Sequence, residues 1–236
     1  MKASSILKSA LTLLVFSASV ISSNAQQNKD VSITNFNEVS VSSGIDIYLT
    51  QSNSENIRIN AHPDLIKNVI IEKEGNNLKI RYKDGVNWGR LFKNQSIKVY
   101  VNYKTLKALS ASGGSDVYTQ NTLKTDRLSL SASGGSDLKL DVVAKDIEVH
   151  TSGGSDVDLK GSATNMEVAT SGGSDVNALD FIVDYAKVSS SGGSDANIHV
   201  NKALEASASG GSDINYKGSA SVKNNSSKSG DVNRLK

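Results

Sequence analysis

The sequence predicts an all-β protein that folds as a right-handed parallel β-helix, and three observations support this prediction. The pentapeptide Ser-Gly-Gly-Ser-Asp occurs six times in the second half of the 236-residue chain. Successive copies begin 18 to 21 residues apart, and a period of this length indicates a solenoid of stacked coils. Apolar residues alternate with other residues on both sides of each copy, which is the periodicity of a β-strand. Parallel strands are joined almost always by right-handed crossovers, which gives the predicted hand.

Each repeat is predicted to form one coil of about 20 residues. Its pattern is apolar-x-apolar-x-x-Ser-Gly-Gly-Ser-Asp-apolar-x-apolar, as with Leu128 and Leu130 before the second copy and Leu138 and Leu140 after it. A second, weaker turn is predicted between copies, for instance at Lys160-Gly161-Ser162-Ala163. Two short strands and two turns then complete a coil, and neighbouring coils stack about 4.8 Å apart.

The paired glycines of the motif are predicted to be structural, because a tight corner needs backbone angles that a Cβ atom disfavours. These turn residues are Gly113, Gly114, Gly134, Gly135, Gly153, Gly154, Gly172, Gly173, Gly192, Gly193, Gly210 and Gly211.

Residues 1–25 are predicted to be a cleaved signal peptide. Lys2 and Lys8 form a short basic region before an apolar run over residues 10–21. Ser23 and Ala25 supply the small side chains at positions −3 and −1 relative to the predicted cleavage site. The run is shorter than the roughly 20 residues that span a bilayer. The sequence therefore predicts export to the periplasm, the outer-membrane surface or the medium.

The mature chain, residues 26–236, is predicted to be a single β-helix domain. Residues 31–108 form degenerate N-terminal coils, residues 109–222 form the repeat coils, and residues 223–236 form a C-terminal cap or tail. Terminal repeats of solenoids are atypical because they cover the end of the core. A separate N-terminal β domain is the alternative.

Composition excludes several classes of function. The chain has no cysteine, which excludes a disulfide scaffold, a thiolate zinc site and a cysteine nucleophile. Loss of the two leader lysines leaves 24 basic and 24 acidic residues, and no basic run is present. We therefore expect no nucleic-acid partner and no polybasic patch for a membrane surface. After residue 25 no segment is long and apolar enough to span a bilayer, so we also expect no insertion into a membrane.

Three further segments precede the repeated Gly-Ser-Asp turns in the chain: Phe36-x-x-Val39-x-Val41, Ser43-Gly44-Ile45-Asp46 and Leu78-Lys79-Ile80-x-Tyr82. This order of features resembles the auto-transporter adhesin head GIN domain family, a domain of unknown function common in envelope proteins of Gram-negative bacteria. The resemblance covers nearly all of the mature chain. It implies a pectin-lyase-like superhelix with Gly-Ser-Asp at the tight turns and a role in adhesion, and it brings no established catalytic residues.

Stacked coils place equivalent aspartates in a column along the solenoid. Two carboxylates about 4.8 Å apart repel by roughly 3.5 kcal/mol at an effective dielectric constant of 20 and by less than about 1 kcal/mol in water. The favoured interpretation is a structural turn whose carboxylates accept hydrogen bonds from turn amides. The alternative is a calcium ladder, because Gly-Gly-x-Gly-x-Asp repeats bind calcium in β-rolls. The candidate ligands are Asp116, Asp137, Asp156, Asp175, Asp195 and Asp213.

One segment between two predicted strands combines the side chains of a binding loop. It contains the only tryptophan, Trp88, close to Arg90 and Phe92. An exposed Trp beside an Arg could stack on a sugar ring or contact a partner protein. The favoured interpretation is that Trp88 and Phe92 cover an end of the solenoid.

The sequence contains no nucleophile elbow, phosphate loop or His-Glu-x-x-His motif. The leading hypothesis is therefore an exported, non-enzymatic β-solenoid that binds carbohydrate or protein at the cell surface without a cofactor. A polysaccharide lyase or hydrolase on the same fold is the first alternative, which rests on fold analogy. A calcium-stabilised spacer is the second. Exposed solenoid ends could also stack into homo-oligomers.

Overall fold

A computed structural model describes residues 26–85 and 96–236 of the chain. Strands make up 68% and helix 2% of the structure, and parallel coils of about 19 residues form a β-solenoid of about seven turns. The predicted fold class is confirmed. The predicted signal peptide, residues 1–25, lies outside the described residues.

The first half of the chain contains short strands and one short helix. Its elements are β1 (Gln27–Val31), β2 (Glu38–Val41), β3 (Ile45–Gln51), β4 (Asn56–Ala61), α1 (Pro63–Ile66), β5 (Val69–Glu74), β6 (Asn77–Tyr82), β7 (Ile97–Tyr103), β8 (Ala108–Ser112) and β9 (Val117–Thr119).

The second half contains longer strands that correspond to the repeat. They are β10 (Leu123–Ser133), β11 (Asp137–Ser152), β12 (Asp156–Ser171), β13 (Asp175–Ser191), β14 (Asp195–Ser209), β15 (Asp213–Lys217), β16 (Ser221–Asn224) and β17 (Asp231–Arg234).

The four strands β11 to β14 each run without a break from one Gly-Gly turn to the next. The second turn predicted at Lys160-Gly161-Ser162-Ala163 is therefore wrong as a strand break, because it lies inside β12. Gly161 has φ +113°, and the β12–β13 register shifts between Asp158 and Lys160. The chain changes direction here while it stays hydrogen-bonded in the sheet, and glycine permits the unusual backbone angle.

The order of the coils in space differs from their order in the sequence. Strand β2 pairs in parallel with both β6 and β8, and β3 pairs in parallel with both β7 and β9. The coil formed by β2 and β3 therefore lies between the β6–β7 coil and the β8–β9 coil. Antiparallel strands cover the N-terminal end, since β5 pairs with β6, β4 with β7, and β1 with β4.

The core consists of ladders of apolar side chains that point into the solenoid. Leu138, Val157 and Val176 occupy equivalent positions on adjacent coils and are at most 1% exposed. Because successive side chains of a strand point to opposite faces, the residues between them form equivalent rows on the outer surface. Surface chemistry is therefore repeated along the solenoid axis.

Candidate functional site

The Gly-Gly turns form a column along one edge of the solenoid. Eleven of the twelve glycines have φ between 62° and 84°, and the exception is Gly173. Two successive residues with positive φ are what a type I′ turn requires. In the coil of β2 and β3, Ser43 replaces the first glycine and still has φ 72°.

The second serine of each motif is fully buried beneath the turn. All six of these serines are 0% exposed. The hydroxyl of Ser155 lies 2.9 Å from the carbonyl oxygens of Ser152 in its own turn and Ala132 in the preceding coil. Ser212 makes the equivalent contacts at 2.8 Å with Ser209 and Ser190. Ser155 and Ser212 therefore fix their own turns and join them to the preceding coil. The six residues are Ser115, Ser136, Ser155, Ser174, Ser194 and Ser212.

The aspartate column contains eight residues, two more than the sequence motif indicated. Asp46 is paired with Lys98 of β7 on one side, and on the other side its neighbour is Asp116, which directly precedes the first β3–β9 pair. Asp231 is paired with Asp213. Asp46 belongs to the degenerate turn, and Asp231 follows Ser229-Gly230 at the 18-residue spacing of the preceding repeat. The column runs through Asp46, Asp116, Asp137, Asp156, Asp175, Asp195, Asp213 and Asp231.

Backbone amides of neighbouring coils donate hydrogen bonds to two carboxylates of this column. Asp175 Oδ1 accepts a hydrogen bond from the Asp195 amide at 3.1 Å, and Asp195 Oδ1 accepts one from the Asp213 amide at 3.2 Å. Burial raises the pKa of Asp137, and the nearby carboxylates of Asp116 and Asp156 raise it further. Within residues 26–85 and 96–236, no three His, Asp or Glu side chains form a group that could hold a metal ion. The calcium ladder remains a prediction.

Three tyrosines form a stack on the outer surface, two residues beyond the aspartate column. Tyr100, Tyr48 and Tyr118 are in register on the adjacent strands β7, β3 and β9. Ring centroids lie 5.1 Å apart for Tyr48 and Tyr100, and 5.3 Å for Tyr48 and Tyr118, with interplanar angles of 22° and 19°. These separations fit offset stacking, which leaves part of each ring uncovered. Tyr100 is 40% exposed. We call these three residues the tyrosine strip.

Polar and charged residues extend the same row on both sides of the tyrosine strip. On the N-terminal side, Arg58 of β4 pairs with Tyr100, and its Nε lies 2.8 Å from Asp30 Oδ1. On the C-terminal side the row continues on β11, β12 and β13. There Lys139 Nζ lies 3.9 Å from Asp158 Oδ2, and Asn177 Nδ2 donates to Asp158 Oδ1 at 3.3 Å.

Two grooves adjoin the tyrosine strip. One of about 610 Å³ is bordered by Tyr48 and Tyr118 and continues over Lys139, Asp158 and Asn177. A second, of about 410 Å³, is bordered by Tyr100 and Arg58 on the other side. Four asparagines complete the second groove: Asn28, Asn56, Asn60 and Asn102.

A separate groove of about 540 Å³ lies on the strands that precede the turns. It includes Glu167, Lys187 and Glu205. Lys187 Nζ lies 2.8 Å from Glu167 Oε1, and Glu205 Oε1 lies 3.0 Å from Lys223 Nζ. These ion pairs are exposed, so solvent and salt screen them and they contribute little to stability. The tyrosine strip is the stronger candidate because it stacks three aromatic rings beside several amides, whereas this groove has one exposed ring, Tyr185, and one amide, Asn165.

The loop predicted to bind a ligand, with Trp88, Arg90 and Phe92, lies outside the described residues. The tyrosine strip was missed in the sequence, because its members are separated by 52 and 18 residues in the chain. The tyrosine two residues after an aspartate in Asp46-x-Tyr48 and Asp116-x-Tyr118 is the pattern that could have indicated it.

Comparison with known proteins identifies the family. The model described as "Putative auto-transporter adhesin, head GIN domain" matches residues 35–220. The chain belongs to this family. Among curated proteins, none is similar enough in sequence to count as a match.

Solved structures share the fold of this head GIN domain. A putative adhesin from Bacteroides fragilis is 23% identical with a TM-score of 0.82, and the alignment covers 90% of this chain and 98% of that protein. A putative adhesin from Parabacteroides merdae is 22% identical with a TM-score of 0.73, covering 91% and 98%. A putative lipid binding protein from Parabacteroides distasonis is 17% identical with a TM-score of 0.71, also covering 91% and 98%.

The head GIN match contains the whole tyrosine strip and the aspartate column from Asp46 to Asp213. The description of the family names an adhesin head domain, and the solved structures show that the fold is shared. No helix in the described ranges is long and apolar enough to cross a membrane.

Proposed function

We propose that this chain is an exported, non-enzymatic β-solenoid that adheres to carbohydrate through its tyrosine strip. The adhesin family supports the adhesive role, and the predicted signal peptide supports export. The observation that carries the choice of ligand is the stack of Tyr100, Tyr48 and Tyr118 on the outer surface.

An exposed aromatic stack suits a sugar for two reasons. A pyranose ring presents apolar C–H groups on its faces, and these pack against uncovered parts of aromatic rings, as apolar groups do at other binding surfaces. Its hydroxyl groups need both donors and acceptors in the same place. The asparagine amides beside Tyr100 and the carboxylate and amide of Asp158 and Asn177 beside Tyr118 supply both.

The shape of the surface suits a polymer rather than a small metabolite. Small-molecule sites are usually enclosed and bury most of the ligand. The two grooves beside the tyrosine strip lie on the outside of a continuous sheet, so a long polymer can extend past both ends of a groove without steric hindrance. A cell-surface adhesin that holds polysaccharide needs such an open surface.

The non-enzymatic assignment rests on how the charged groups near the strip are paired. Arg58 lies against Asp30, and Lys139 lies against Asp158. Glycoside hydrolysis uses a pair of carboxyl groups across the scissile bond, one as acid and one as base or nucleophile. Asp158 already contacts a lysine and an asparagine amide, which favours a binding role.

The test is retention of the mature protein, residues 26–236, on plant, mucin and bacterial polysaccharides, with newly released sugar ends measured in parallel. We expect retention without release. Tyr100→Ala should weaken retention about tenfold or more. Tyr185→Ala is the matched control, because Tyr185 is 46% exposed and packs beside Lys202 away from the strip.

Three results would contradict the proposal. Retention on none of the polysaccharides removes the carbohydrate ligand. Release of sugar ends shows an enzyme and favours the lyase or hydrolase alternative. Retention on mucin that survives removal of its glycans shows a protein partner instead.

A further inference from the structure

The tyrosine strip belongs to a longer row of outward-facing residues that begins at Asp30 of β1 and continues beyond Asn177 through Asn197, Asn215 and Asn233. We call the stretch that borders the two grooves the outward row, and from N-terminal to C-terminal side it crosses the seven strands β4, β7, β3, β9, β11, β12 and β13. Six spacings of about 4.8 Å give a length of about 29 Å along the solenoid axis. The residues of this outward row are Arg58, Tyr100, Tyr48, Tyr118, Lys139, Asp158 and Asn177.

The ligand-facing groups change in a regular order along the outward row. Amides and a guanidinium lie on the N-terminal side, aromatic rings in the middle, and a lysine, a carboxylate and an amide on the C-terminal side. The tyrosine rings cover only two of the six spacings, about 10 Å. A ligand that uses the whole row must therefore be extended and must run across the strands.

The charges in the outward row cancel in pairs. Arg58 is bound to Asp30 at 2.8 Å, and Lys139 lies 3.9 Å from Asp158. The hydroxyl of Tyr118 donates to Asp116 Oδ2 at 3.3 Å, and burial together with Asp116 raises the pKa of Tyr118 to about 12. The ring is neutral at physiological pH, as a tyrosine with an ordinary pKa near 10 would also be. Recognition of a polyanion needs a concentration of unpaired positive charge, which this row lacks.

Resting on the proposed function, we infer that the ligand is a neutral polysaccharide held in an extended conformation along the solenoid axis. Its sugar rings pack on the tyrosine strip, and its hydroxyl groups bond to the asparagine side of one groove and to Asp158 and Asn177 in the other. A neutral chain leaves the Arg58–Asp30 and Lys139–Asp158 pairs intact, whereas a polyanion would meet Asp30 and Asp158 as repulsive charges.

The first experiment compares neutral with anionic polymers by affinity electrophoresis of residues 26–236. Galactomannan, arabinoxylan and mixed-linkage β-glucan are the neutral probes, and polygalacturonate, alginate and heparin are the anionic ones. We expect retardation by one or more neutral polymers, with less than a twofold change between 50 and 500 mM NaCl. Stronger retardation by the anionic polymers, lost at high salt, overturns this inference while the proposed carbohydrate function stands.

The second experiment titrates the protein with oligosaccharides of two to ten residues that are prepared from the polymer it binds. Affinity should rise with chain length until the ligand covers the outward row and then level off. Asn177→Ala should abolish the gain for long chains, about fivefold or more, and leave disaccharide binding unchanged. Asn165→Ala is the matched control, because Asn165 is an exposed asparagine of β12 that borders the separate groove on the strands preceding the turns.

The extended arrangement is refuted if a disaccharide binds as tightly as longer chains. It is also refuted if Asn165→Ala abolishes the length dependence and Asn177→Ala does not. Absence of binding to every polysaccharide refutes the proposed function itself, and this inference with it.

Discussion

Replacement of Gly161 by alanine should destabilise the solenoid more than the same change in a Gly-Gly turn. Gly161 lies in β12, in register between Val142 of β11 and the fully buried Phe181 of β13. A Cβ atom added to Gly161 would lie 2.1 Å from the Val142 carbonyl oxygen. That oxygen is backbone and is held by the sheet, so neither partner can move aside without breaking strand pairing.

Two costs set the expected magnitude. A non-glycine residue held at φ +113° costs about 1–3 kcal/mol, and insertion of an atom into a filled space costs about 1–3 kcal/mol more. The total of roughly 2–6 kcal/mol is comparable with the whole stability of many domains, which is about 5–15 kcal/mol. For a chain of this size each kcal/mol lowers Tm by about 2–4 °C, so a decrease of about 4–24 °C follows.

The assay is thermal unfolding of residues 26–236, followed by far-ultraviolet circular dichroism, with two control variants. Gly154→Ala keeps the unfavourable backbone angle, φ +75°, but the new Cβ would lie 3.9 Å from its nearest neighbour, so only the first cost applies. Gly173→Ala has neither cost, since nothing lies within 4 Å and its φ is outside the positive range. The expected order of Tm is Gly173→Ala, then Gly154→Ala, then Gly161→Ala. A Gly161→Ala protein that melts within about 1 °C of Gly173→Ala would refute the steric argument.

Three further predictions concern the turn column. Ser155→Ala removes a fully buried hydroxyl that lies 2.9 Å from two carbonyl oxygens, so urea unfolding should show a loss of about 1–3 kcal/mol; an unchanged midpoint would mean that the hydroxyl does not join the coils. Folding raises the pKa of the Asp137 carboxyl above 3.8, so the folded state binds the carboxyl proton more tightly than the unfolded chain does. The free energy of unfolding therefore falls as pH rises from about 3.8 through the raised pKa. Asp137→Asn should therefore flatten the dependence of Tm on pH in that window and raise Tm at pH 7, whereas equal slopes for wild type and variant would contradict the assignment. Finally, EDTA should leave Tm unchanged within about 1 °C if the aspartates are structural, and a clear decrease that added calcium reverses would establish the calcium ladder instead.

The repeat coils could be predicted from the sequence because their determinants are local. Alternating apolar residues such as Leu138 and Leu140 specify a strand and its buried face. The 18- to 21-residue spacing of the motif specifies one coil per repeat. These relations hold within about 20 consecutive residues, so composition and spacing were enough to predict the solenoid and the position of its turn column.

The corner at Gly161 shows where local reasoning was incomplete. A Lys-Gly-Ser-Ala sequence resembles an ordinary turn, yet β12 continues through it. The neighbouring coils supply hydrogen bonds on both sides, so the strand is kept although glycine disfavours it. At Gly161, pairing with the neighbouring coils therefore outweighs the local propensity of the sequence to form a turn.

The sequence by itself determined the class of fold, the turn column and most of its aspartates. The tertiary structure decided what lies next to what at the N-terminal end, where the coil of β2 and β3 lies between two coils that come later in the chain. That arrangement brings Tyr48 between Tyr100 and Tyr118 and so creates the tyrosine strip. Strand pairing between segments more than 50 residues apart depends on how whole coils pack on one another, so no local periodicity of the sequence predicts it.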